Sequence, residues 1–439
     1  MQEAAEENPH LPKMLKTDNG HAPKAPTNVE NTGISRQELI GLAIKAAYSV
    51  SSFTTLWIAN KILLPQVVVV DLIEELREEK MLEVKRQDKD GTYHYAISQR
   101  GREQAERLMH VCGYVGPAPV SLEAYGAMLE SQVNRFPDVK FDDVQEALSK
   151  LKLPADVIEV AGMAVSSGKS LFLSGPPGNG KTTMARLLHT VLPGELWIPH
   201  CIAVDNNIIC LFDPHCHRSV NPEADLVASP TIDKRWVRIY RPLIVTGGEM
   251  TLQSLDLAYR PGLRYYEAPL HMKANGGTFL IDDFGRQHVS PEDLLNRWII
   301  PMEHHFDYLT LHSGQKIEVP FILMLLFATN LDPEDVTDPA FLRRIGYRLA
   351  LRAPEPDFYE EIFREYAARY NIHVPDELMK ALLERYINSG RELRSCEPRD
   401  LLERVRDICK YRNIDARLDQ ELIDTAWRGY FGEGLAQAS

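Results

Sequence analysis

No apolar run in this 439-residue chain is long enough to cross a bilayer. The basic start and apolar stretch of a secretion signal are also missing; the chain opens on acidic and polar residues, among them Glu3, Glu6 and Glu7, so a cytoplasmic protein is expected. Positive charge is not in excess: 49 Lys and Arg stand against 62 Asp and Glu, a formal charge of −13. That balance argues against nonspecific nucleic-acid binding by the chain as a whole, although one face could still be basic. The six cysteines are dispersed, with no C-x-x-C pair or zinc-finger spacing, so reduced thiols are expected rather than a disulfide framework. His200-Cys201, Cys210 and His215-Cys216-His217 leave a metal site open as a reading. The alternative is a hairpin, Trp197 to Val204 and Ile208 to Phe212, turning at Asp205-Asn206-Asn207, whose cysteines act as small apolar residues.

The composition, 44% hydrophobic and 25% charged, is that of a globular protein, and the length calls for two or three domains. Residues 1–33 are poor in large apolar side chains and read as a disordered tail. Ser35 with Glu38 forms a capping box, and three helices, two short strands and a fourth helix, Gln99 to His110, follow. That order, over residues 34–111, resembles a winged-helix domain. The third helix, which would enter a major groove, begins Pro65-Gln66-Val67-Val68-Val69-Val70-Asp71 and carries no Arg or Lys before Arg77. Residues 36–110 hold eleven basic and eleven acidic side chains. Docking of a protein is therefore preferred over DNA readout, with nucleic acid kept as the alternative. Residues 112–139 read as a linker with a helix.

The chain is organised around Ser174-Gly175-Pro176-Pro177-Gly178-Asn179-Gly180-Lys181-Thr182-Thr183, which follows the apolar run Leu171-Phe172-Leu173. The spacing fits G-x-x-x-x-G-K-[ST] at every required position. Small residues let successive backbone N–H groups converge on phosphate oxygens, Lys181 offers a charge to the outer phosphates, and the Thr182 hydroxyl can ligate Mg²⁺. Gly276-Gly277-Thr278-Phe279-Leu280-Ile281-Asp282-Asp283 is an apolar strand ending in two carboxylates. Asp282 is suited to the Mg²⁺ shell, and Asp283 to orienting or deprotonating water.

Together these stretches resemble the AAA+ ATPase family, and Asn275-Gly276-Gly277-Thr278 looks like the branch of the magnesium chelatases and MoxR-type ATPases. The resemblance implies an α/β fold, an AAA+ P-loop NTPase core with a parallel sheet sandwiched by helices, at residues 140–353 with an insertion at about 192–270. A helical lid at 354–439 and the N-terminal α+β winged-helix domain complete it. It further implies that Asn330, after the strand Phe321 to Phe327, is a first sensor of the γ-phosphate or lytic water. Arg343 or Arg344 would be an arginine finger reaching a neighbouring subunit's nucleotide, and Arg399, in Glu397-Pro398-Arg399-Asp400, a second sensor. Asp338-Pro339 should cap the short helix bearing the Arg pair, and Phe306 to Leu311 with Lys316 to Val319 should form a hairpin. The family usually has Glu where this chain has Asp283, which leaves slow hydrolysis, or a nucleotide-gated scaffold, open beside rapid turnover. The implied activity is Mg²⁺-dependent ATP hydrolysis by a ring, a hexamer, that remodels a protein client; a DNA-directed regulator or loader is the alternative. Tyr265 and Tyr266 are read either as pore-lining contacts or as aromatics buried against the lid.

Overall fold

The computed structural model describes residues 8–17, 20–220, 231–332 and 342–432. Its main sheet has five strands in the order Leu243–Thr246, Thr278–Ile281, Met324–Ala328, Leu171–Ser174, Tyr347–Ala350. Leu171–Ser174 runs parallel to both of its neighbours. A parallel sheet covered on both faces needs apolar side chains on both, and the three central strands are buried at every position. The expected α/β class with a P-loop core is borne out. Parallel strands send their carboxyl ends to one edge, where the segments that follow them can converge.

Contacts divide the chain into two units, residues 1–138, 192–279 and 296–324, and residues 139–191, 280–295 and 325–439. In the first, Ser35 accepts the Glu38 N–H and Glu38 reaches back to the Ser35 N–H, opening the helix Arg36–Tyr48. Helices Thr55–Ile62 and Gln66–Glu78, the antiparallel strands Leu82–Gln87 and Tyr93–Ile97, and the helix Gln99–Val111 follow in the expected order. Gly101 lets that last helix close on the strand pair, because a Cβ there would lie 2.3 Å from the Met81 carbonyl oxygen. The hairpin Phe306–Thr310 with Lys316–Pro320 also forms.

Several expectations fail in this unit. Within the supposed disordered tail, Met14–Thr17 pairs with Gly20–Pro23, and Ala22 and Val29 are buried. The segment gains order from backbone hydrogen bonds to distant residues, Ala25 N–H to the Thr231 carbonyl and Asp233 N–H to the Pro23 carbonyl, which its own composition does not reveal. Nor is 112–139 a linker as far as residue 133: Val120–Ser121 pairs with Cys201–Val204, and Tyr125, Met128 and Leu129 on the helix Leu122–Val133 join the core. The strand expected from Trp197 to Val204 breaks at His200. Glu195–Pro199 pairs with Trp236–Tyr240, whereas Cys201–Val204 pairs with Asn207–Cys210 across a tight turn with positive φ at Asp205 and Asn206. Within the insertion, Leu252–Leu255 forms a single 3₁₀ turn.

The second unit contains the helices Phe141–Leu148, Ala155–Ser167 and Lys181–Thr190. Four more, Pro356–Arg369, Asp376–Asn388, Glu397–Tyr411 and Gln420–Phe431, pack on a core of their own that includes Tyr359, Phe363, Tyr386 and Trp427. The Tyr359 and Tyr386 hydroxyls are hydrogen-bonded at 3.0 Å, so neither is left as a buried unpaired group.

Candidate functional site

The loop between the strand Leu171–Ser174 and the helix Lys181–Thr190 is shaped by its glycines, with φ of 130° at Gly175, 86° at Gly178 and 84° at Gly180. Gly175 is irreplaceable twice over: its backbone is disfavoured for other residues, and a Cβ would lie 2.1 Å from the Leu351 carbonyl oxygen. Lys181 follows as the first helical residue. Its Nζ donates to the carbonyls of Gly175 and Pro176 at 2.7 and 2.8 Å, folding the side chain back over the loop. Burial lowers its pKa, opposed by the nearby Asp283 and Asp282.

One residue on, the Thr182 hydroxyl lies 2.9 Å from each Asp282 carboxylate oxygen. Hydroxyl and carboxylate, a hundred residues apart in sequence, thus share one point at the end of the sheet. Asp283 has φ 49°, a left-handed conformation that Asp and Asn tolerate better than most residues. Its N–H donates to Asp282 Oδ1, and its own Oδ1 accepts Asn330 Nδ2 at 3.0 Å. Thr329, before Asn330, donates its hydroxyl to the Phe284 carbonyl, tying together the segments after two neighbouring strands.

These groups line a cavity of about 450 Å³ that lies wholly within the second unit. The structure therefore brings together Pro177 to Thr183, Asp282, Asp283, Asn330 and Arg399, all expected from the sequence. Arg399 lines the wall, with its guanidinium bound at 3.0 and 2.8 Å to Asp400; that hydrogen bond raises its pKa. Arg343 and Arg344 do not line this cavity, and Arg343 is exposed. Asp338, Pro339 and Phe341 lie outside the described residues.

Sequence reasoning missed part of the wall. Leu151 and Leu153, between the helices Phe141–Leu148 and Ala155–Ser167, Tyr366 on the helix Pro356–Arg369, and Ser395 and Cys396, just before the helix Glu397–Tyr411, line it too. Only the Gly-rich loop carries a local spelling that announces phosphate; these residues reach the site through packing alone. Tyr265 and Tyr266 lie in the other unit. Tyr266 is buried, its hydroxyl accepting the His312 N–H, and Tyr265 packs edge-on against Tyr114. They are packed aromatics, though against His312 of the hairpin and against Tyr114 rather than the lid. In the Cys/His stretch, His217 is buried between the Asp213 N–H and the Lys273 carbonyl, and burial holds His200 down to about 4. Among the described residues no group of three His, Cys, Asp or Glu side chains is placed to hold a metal.

The donor set fits a nucleoside triphosphate with Mg²⁺. Positive-φ glycines leave the backbone open to an anion, Lys181 is held over the loop, and one hydroxyl with one carboxylate is a ligand set that leaves the remaining positions to phosphate and water, as Mg²⁺ requires.

A family model, a domain of unknown function (DUF8689), matches residues 355–429, which are the four C-terminal helices. No curated protein matches the chain. Solved structures similar to it include a point mutant of Thermotoga maritima RuvB, at 15% identity and TM-score 0.36, covering 68% of this chain and 72% of that one. The Thermotoga maritima RuvB Holliday junction branch migration motor is 16% identical, with TM-score 0.35 and coverage of 62% and 68%. NtrX from Brucella abortus in complex with ADP is 12% identical, with TM-score 0.40 and coverage of 72% and 59%. Likeness this remote carries no functional weight.

Proposed function

We propose that the chain is a Mg²⁺-dependent ATPase of the AAA+ type. The observation that carries this is the meeting of Thr182 and Asp282, at 2.9 Å, beside a phosphate loop whose Lys181 is already folded over it. When bound, Mg²⁺ would neutralise charge on the phosphates. The loop N–H groups and Lys181 hold the triphosphate, and Thr182 and Asp282 hold the metal. Asp283, fixed by Asn330, orients a water and accepts its proton. Arg399 approaches from the C-terminal helices.

The Arg pair supports a ring oligomer, hexameric in the family that the chain resembles: Arg343 is exposed and neither arginine lines its own chain's cavity, so their use at a nucleotide calls for a neighbour's site. The N-terminal helices support recruitment of a protein client over DNA. Gln66, Val67, Val70 and Asp71 are the exposed residues of the first two turns of Gln66–Glu78, and Glu74 follows on the next; none is a cation, a poor match to phosphate. ATP turnover, measured as phosphate release with and without Mg²⁺, tests the core of the proposal. Wild-type activity lost in Lys181→Ala and in Asp282→Asn supports it, and turnover surviving in both refutes it. ATP-dependent assembly, with activity lost in an Arg343→Ala/Arg344→Ala variant, tests the ring; a monomer with full activity ends that part.

A further inference from the structure

In a phosphate loop the backbone N–H groups do the binding, so nothing in phosphate recognition asks for an Asn at position 179. Yet Asn179 is 5% exposed, and its Oδ1 accepts the Ser395 N–H at 3.2 Å. Beside it the Gly178 carbonyl accepts the Cys396 N–H at 2.9 Å. A Cβ on Gly178 would lie 2.6 Å from Cys396 Sγ and 3.5 Å from the Arg394 side chain, so loop and lid segment touch with no slack. Because Ser395 presents a donor, the carboxamide must turn its oxygen that way. Its Nδ2 is then left buried with no acceptor, a cost that the bond to Ser395 has to outweigh.

What this latch holds is the start of the helix Glu397–Tyr411, whose first turn carries Arg399. An α-helix is rigid over one turn, so the register of residues 395 and 396 on the loop determines where the Arg399 Cα stands over the cavity. Its guanidinium, lying along its own helix on Asp400, must leave that carboxylate to reach a phosphate, and its reach depends on that starting point.

Resting on the nucleotide-binding reading above, we propose that Asn179 is a positioning residue: through the Ser395 N–H it registers the C-terminal helices on the phosphate loop and so sets the reach of Arg399 to bound nucleotide. A double-mutant cycle in ATP affinity, on the full chain, tests it. Arg399→Ala alone weakens ATP binding about ten-fold, the loss of a charge-assisted hydrogen bond. In Asn179→Ala the same Arg399→Ala step costs less than about two-fold, since the arginine is already out of register. Asn179→Asp keeps an oxygen for the Ser395 N–H and restores the full cost of Arg399→Ala, whatever the added charge does to absolute affinity. Where Asn179→Ala fails to fold, Asn179→Ser, with a shorter side chain, takes its place. Equal costs of Arg399→Ala with and without Asn179, or no cost in the wild type, overturn the proposal while leaving nucleotide binding intact. A wild-type chain that binds no ATP would instead remove the reading beneath it.

Discussion

Asp283→Glu gives the carboxylate the length usual in AAA+ proteins, and the structure predicts that turnover falls rather than rises. Asp283 has φ 49°. A left-handed backbone costs an ordinary L-residue roughly 1–2 kcal/mol, and Asp offsets part of this with its short polar side chain. The added methylene also carries the carboxylate away from Asn330 Nδ2, now at 3.0 Å. A hydrogen bond to a charged group is worth about 1.5–3 kcal/mol, but Asp283 is exposed and solvent screening brings this nearer to 1. Together the two effects come to about 1–2 kcal/mol, a fall of roughly 5–30-fold in phosphate release at saturating ATP. ATP affinity, which the proposed function assigns to the loop and Thr182, should change by less than about two-fold. Asn330→Ala should produce a similar fall, and the double variant little more, because both changes release the same carboxylate. Turnover by Asp283→Glu at or above the wild-type rate, with additive effects of Asn330→Ala, would refute the reasoning.

Three further outcomes are expected. Gly178→Ala should lower the melting temperature and weaken ATP binding by about 1–3 kcal/mol, whereas Gly314→Ala, at the same φ of 86° with nothing within 4 Å of its Cβ, should show the backbone cost alone and leave ATP binding unchanged. Thr182→Ala should bring the ratio of ATP affinities with Mg²⁺ and with EDTA close to one, as read by calorimetry, since it removes one of the two protein ligands proposed for the metal. Buried Asp307 is pushed up by desolvation but more strongly lowered by His271, whose Nε2 lies 2.9 Å away, and by the hydrogen-bonded Arg297 guanidinium, so its folded pKa lies below the ordinary value. Its contribution to stability is therefore present above about pH 4 and is lost as acid carries the pH down through the lowered value; Asp307→Asn should destabilise the protein at pH 7 and flatten the acid limb of the urea midpoint.

How much of this was legible beforehand follows the range of the interactions. The capping box at Ser35 and Glu38, the two-residue turn at Asp205 and Asn206, and the phosphate loop are local: residues a few positions apart meet because the backbone between them is short. The three central strands could be read because burial on both faces demands unbroken apolar runs. Other features had no such trace. The N-terminal segment looked too polar to order, yet it pairs with itself and with residues beyond 230. Nothing in Trp197 to Val204 marked His200 as the point where a strand changes partners, because that depends on which strands wait on either side.

By itself the sequence determined that a phosphate loop follows a buried strand, that two carboxylates end another, and that an Asn and several Arg residues stand in a suggestive order. Tertiary structure alone decided that Thr182 faces Asp282, that Asn330 bonds the carboxylate of Asp283, and that Asn179 grips Ser395. The reason is physical. Spacing along the chain governs only near neighbours, whereas residues 47 to 216 positions apart meet where the strand order and helix packing place them.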